Sequence, residues 1–97
     1  MSESPRARLH RLIREVRSGA LDTQSFCARF ETTYNLELDR STLTSAEAEA
    51  FAELFEKVVW YSPFPAERER MPHDLGEEDI AHAVERAALR VGISAGR

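Results

Sequence analysis

The side chains able to do chemistry here are one cysteine, three histidines and an excess of carboxylates, seventeen Asp and Glu against thirteen Lys and Arg. Cys27 beside a histidine would make a nucleophile pair. However, it falls within an apolar helical face, where a free cysteine acts as a small hydrophobe and lacks the exposed, electropositive setting of a reactive thiol. His73 and His82 bracket Asp74 and a run of acids, a donor set that suits a divalent metal. Their nine-residue separation across a helix start gives no shared face, so solvated surface residues are expected and no metal or cofactor is assigned. The chain contains no phosphate-cradling glycine loop, no HExxH and no GxSxG, and no catalytic residue is assigned.

The charges are unevenly distributed. Residues 1–20 carry five arginines against two glutamates, whereas residues 41–85 carry eleven acids against three bases. Arg6, Arg8, Arg11, Arg14 and Arg17 could meet phosphate, but no aromatic residues interleave with them for base stacking. With a net charge of −4 the domain is a poor nucleic-acid binder. A solvated face, or pairing of these arginines with the acidic third or fourth helix, is the expected alternative. Glu49, Glu53 and Glu56 recur at i, i+4 and i+7 on one helix, where like charges repel by a few tenths of a kcal/mol per pair. Glu67, Glu69, Asp74, Glu77 and Glu78 follow, and Trp60, Tyr61 and Phe64 stand among them. Aromatic anchors within a charged rim are a common way to build a protein interface, and a solvated acidic face is the competing reading.

Four amphipathic segments must position these groups. Ser4-Pro5 reads as N-cap and first residue of a helix whose stripe is Leu9, Leu12, Ile13 and Val16, ending at Gly19. Asp22 caps a second, with Leu21 and Phe26 as a hydrophobic staple, Phe26, Phe30 and Tyr34 as its buried face, and Asn35 as a left-handed terminator. Residues 36–43 connect, with a short extended stretch possible. Thr44 and Glu47 have capping-box spacing and open a third helix, with Phe51, Leu54, Phe55 and Val58 as its core face and Tyr61 one turn on. Pro63 and Pro65 end it. Residues 62–75 form a long connection in which 66–70 can make one helical turn. Gly76 caps a fourth helix with Glu77, Glu78 and Asp79 in its positive first turn and Ile80, Ala83, Val84, Ala87 and Val91 as its core face.

The expected architecture is a single all-α domain over residues 1–97, a small antiparallel four-helix bundle. A chain of this length holds a core without metal or disulfides, and one cysteine permits no intrachain bridge. No apolar run reaches the 18 residues of a membrane span, and charges interrupt any secretory h-region in residues 1–20. A cytoplasmic location without membrane contact is expected.

The order Phe51-x-x-Leu54-Phe55-x-x-Val58-x-x-Tyr61-x-Pro63, then Arg68, then Asp74-Leu75 before a last helix, resembles the colicin D-type immunity family, the bacterial self-protective colicin-like immunity proteins. Leu12-Ile13 and Gly19 ahead of a helix bearing Phe26, Phe30 and Tyr34 extend the resemblance over nearly the whole chain. It implies a four-helix bundle that binds and blocks a basic nuclease toxin, the prototype toxin cleaving transfer RNA. The inhibitor needs no catalytic residue and makes no direct contact with nucleic acid. The partner surface expected on that basis comprises Glu53, Glu56, Trp60, Tyr61, Phe64, Glu67, Glu69, Asp74, Glu77 and Glu78, on a chain monomeric by itself. The alternative from another class is a regulatory or scaffolding module that homodimerises through its aromatic edge.

Overall fold

The computed structural model describes residues 3–61 and 75–92. Within them run four α-helices and no strand: α1 (Pro5–Ser18), α2 (Thr23–Thr32), α3 (Ser45–Val58) and α4 (Glu77–Val91). The chain is an all-α helical bundle. Of the expected connection 62–75, residues 62–74, including the possible turn at 66–70, lie outside the described residues.

Three of the four helices start where a side chain can satisfy the first free N–H groups. Ser4 Oγ accepts from Ala7 N at 3.1 Å, Asp22 Oδ1 from Ser25 N at 2.6 Å, and Thr44 Oγ1 from Glu47 N at 3.1 Å. At α4 only the returning half of a capping box exists. Gly76 has no side chain to offer, and its N–H donates to Asp79 Oδ2 at 2.9 Å. α1 ends at Gly19 in the left-handed region (φ 85°), which turns the chain within a few residues into α2.

The end of α2 differs from the sequence expectation. Among the described residues none other than glycine has positive φ, so Asn35 is not a left-handed stop. The helix instead widens into one π-helical turn, Thr33–Glu37, closed by Leu38 N donating to Thr33 O at 2.9 Å. Tertiary contacts account for the difference. Tyr34 is stacked against Phe30 (5.9 Å between centroids) and Phe55 of α3 (4.7 Å), with the Arg40 guanidinium 4.6 Å from its ring centroid. The connection to α3 then makes a 3-10 turn at Arg40–Thr42, capped by Asp39, in place of the extended stretch.

The core draws on all four helices: Leu9, Leu12 and Ile13; Phe26, Cys27 and Phe30; Ala50, Phe51, Leu54 and Val58; Ile80, Ala83, Val84, Ala87 and Ala88. The buried face of α3 is rotated from the expected one. It takes in Glu47 and Ala50, and leaves Phe55 half-buried at its edge. The cause is α4, which makes the most extensive helix contact with α3 and presents Ala83, Ala87 and Ala88, small enough for close approach on the Ala50–Leu54 side. The pair is antiparallel: Glu49 and Glu53 meet Arg90 and Arg86, while the end of α3 meets the start of α4. α3 ends at Val58 rather than near Tyr61, because Trp60 N and Tyr61 N turn back to Lys57 O and Val58 O and tighten the last turn.

Pairing of the α1 arginines with α3 or α4 is present for Arg6 and Arg17, while Arg8 and Arg11 meet acids elsewhere. Arg6 reaches Glu47, Arg17 reaches Glu85 at 2.8 Å, Arg8 reaches Glu37 at 2.6 Å, and Arg11 grips Glu3 and Glu15. The Glu47 contact is the buried one. Its carboxylate accepts from Thr44 N (2.9 Å) and from Arg6 Nε (2.9 Å) and Nη2 (2.7 Å), lies 2.7 Å from His10 Nε2, and is only 4% exposed. Hydrogen bonding from Arg6, aided by Thr44 N–H, His10 and the guanidinium charge, outweighs burial and lowers its pKa to about 2.

Two stability predictions follow from this packing. Phe51→Ala should cost about 3–5 kcal/mol, and Phe55→Ala, at the rim, about 1–2 kcal/mol, both read by chemical denaturation. Equal losses would place Phe55 in the core after all. Because the folded pKa of Glu47 lies below its unfolded value, its stabilisation is complete above about pH 5 and is lost as pH falls towards 2. That contribution is about 3 kcal/mol. Relative to Glu47→Gln, the parent chain should therefore lose about that much more stability between pH 6 and 2; parallel pH profiles would exclude it.

Candidate functional site

Of the residues expected to meet a partner, Glu56, Trp60, Tyr61, Glu77 and Glu78 lie where α3 ends and α4 begins. Leu75 N donates to Trp60 O at 2.8 Å, and Tyr61 and Leu75 form an isolated parallel bridge. Both side chains rest against the core, which draws the two helix ends together. Trp60 stays 45% exposed and Val59 44%. Glu56 lies one turn before Trp60, and Glu77 and Glu78 lie just past the bridge. All three are exposed, and none has an ion-pair partner among the described residues.

Different physics holds each acid in place. Glu77 and Glu78 occupy the first turn of α4, where the positive end of the helix favours them, beside an open depression lined by Gly76, Asp79 and Ala81. Glu56 has no such support and is carried outward by the rotation of α3. Glu53, expected in the same surface, is turned inward: it lies 2.9 Å from Arg86 Nη2 and 3.4 Å from Arg90 Nη1. Glu49 meets Arg90 more loosely at 3.5 Å. The acidic face of α3 thus divides into a flank answered by α4 and a remainder facing solvent. Phe64, Glu67, Glu69 and Asp74 lie outside the described residues.

The α3–α4 ion pairs and the place of His10 beside Glu47 escape the sequence reading. Arg86 and Arg90 stand at i, i+4 on α4, matched to Glu49 and Glu53 at i, i+4 on α3; that shared spacing is the signal that could have paired them. Arg6 and His10 likewise share one face of α1 and converge on Glu47. Cys27 is buried, and burial first, then the charge of Glu31, pushes its thiol up to about 12, so it is a packing residue. His82 is exposed on α4, and no group of three metal-ligating side chains occurs among the described residues. No described helix is long and apolar enough to cross a membrane.

Comparison with protein-family models, with curated proteins and with solved structures finds no match for this chain.

The exposed acids are separable from the fold. Glu56→Lys, Glu77→Lys and Glu78→Lys should each change stability by no more than about 0.5 kcal/mol, with the two α4 variants the less stable because they oppose the helix dipole. Glu53→Lys, which sets a cation against two arginines, should cost more. Thermal melts of the four variants check the ranking; a Glu56→Lys variant as damaged as Glu53→Lys would mean that Glu56 has a structural partner.

Proposed function

We propose that this protein is an inhibitor of the immunity type, which binds a basic nuclease toxin domain and blocks its active site. One observation carries the reading: the Trp60–Leu75 bond brings two acid-bearing helix ends together around a half-exposed tryptophan. A large amphipathic ring serves as an anchor, while exposed acids with no ion partner among the described residues supply the rim that meets cations. The resemblance of the core and turn residues to colicin D-type immunity proteins supports the same reading and suggests a transfer-RNA-cleaving toxin. Charge complementarity would steer the encounter, with association up to about 10⁸–10⁹ M⁻¹s⁻¹ at low salt. The inhibitor would work in the cytoplasm, where its toxin is made, as a monomer carrying no cofactor. A homodimer built on the same edge is disfavoured, because it would bring the acids of two copies together.

The test begins with the neighbouring reading frames, where this reading expects a toxin gene, and co-expresses the nuclease domain of that toxin with this protein. Co-expression should yield a co-purifying complex and suppress RNA cleavage. The triple variant Glu56→Lys/Glu77→Lys/Glu78→Lys should fold, associate more slowly and lose about 2–5 kcal/mol of affinity for each desolvated pair removed. Absence of inhibition would overturn the reading. So would a triple variant that inhibits as the parent does at both low and high salt.

A further inference from the structure

The side of α3 turned away from α4 carries an apolar strip. Ala48, Ala52, Phe55 and Val59 recur at i, i+4, i+7 and i+11, which sets them along one line of the helix. Ala48 and Ala52 are exposed, Val59 is nearly half-exposed, and Phe55 is half-buried with one face on Tyr34. Eleven residues of helical rise make the strip about 16 Å long, or three turns. Its two edges differ in charge. Glu56 borders the side nearer solvent, whereas Arg40, stacked on Tyr34, stands on the side of the π-helical turn. Trp60 closes the end at which the acidic junction begins.

An apolar line three turns long suits a helix that presents its own apolar residues at i, i+3, i+4 and i+7. The edges determine its charge. Cations on the partner would face Glu56 along one border and be repelled by Arg40 along the other. A second copy of this chain, laid α3 on α3, would instead bring acid towards acid. We infer that the outer strip of α3 receives a partner helix that is amphipathic and carries its Lys or Arg residues along the single edge facing Glu56. From the inhibitor reading this takes only the basic charge of the partner, and it adds the mode of contact.

Trp60 is the sole tryptophan and stands at the end of the strip, so its emission reports binding. The probe is an 18-residue Leu/Lys helical peptide with lysines on one edge, with a Leu/Glu peptide of the same pattern as control. The lysine peptide should shift Trp60 emission saturably and the glutamate peptide should not. Ala52→Arg should weaken the lysine peptide at least about tenfold, or 1.4 kcal/mol, while remaining folded, since an arginine there can pair with Glu56 at i+4. Glu31→Lys on α2 should leave binding unchanged. Failure of the lysine peptide to bind, or equal binding by Ala52→Arg, overturns the inference. A nuclease still inhibited by Ala52→Arg would overturn this docking mode and spare the inhibitor reading. Ala52-dependent peptide binding with no nuclease inhibited would overturn the inhibitor reading alone.

Discussion

A single buried carboxylate ties the two halves of this fold together. Glu47 is the only buried acid among the described residues. It closes the cap of α3 through Thr44 N–H and accepts Arg6 and His10 from α1, two elements separated by about forty positions of chain. A carboxylate removed from water is tolerable only when its oxygens are fully bonded, and here each oxygen has a partner on α1. Placement therefore runs both ways: α3 begins where it does because Glu47 caps it, and α1 lies where it does because Glu47 must be satisfied. The edge of the His10 ring against Phe51 carries that polar constraint directly into the core.

From that anchor the rest of α3 is oriented. With Glu47 directed inward, Ala50, Phe51, Leu54 and Val58 follow it into the core, and Phe55 is turned towards the α2 side, where the π-helical turn brings Tyr34 to meet it. The same rotation turns Glu53 towards Arg86 and leaves Glu56 outside. What distinguishes a bonded acid from an available one on this helix is thus a few tens of degrees, set at its first turn.

The helices were legible in the sequence because their signals are local. Ser4, Asp22, Thr44 and Gly76 act within three residues of themselves, and the apolar periods of α1 and α4 need no knowledge of a neighbour. Asn35 and Phe55 were misread for the opposite reason. Whether α2 stops or widens depends on a ring from α3, and which side of α3 is buried depends on how closely alanines of α4 let the two helices approach. The junction acids were identifiable as a group, but the withdrawal of Glu53 was not, since it takes two arginines more than thirty residues away. Burial of Glu47 was hidden by its sufficient local role as a cap.

The Trp60–Leu75 clasp has a consequence for how such a chain can change. Its hydrogen bond joins two main-chain groups, Leu75 N–H and Trp60 C=O, so it does not depend on which side chain stands at either position. Any residue but proline at position 75 could still donate it. The spacing between the end of α3 and the start of α4 is thus written in backbone, and a lineage could exchange the half-exposed ring of Trp60 for another recognition group without losing that bond.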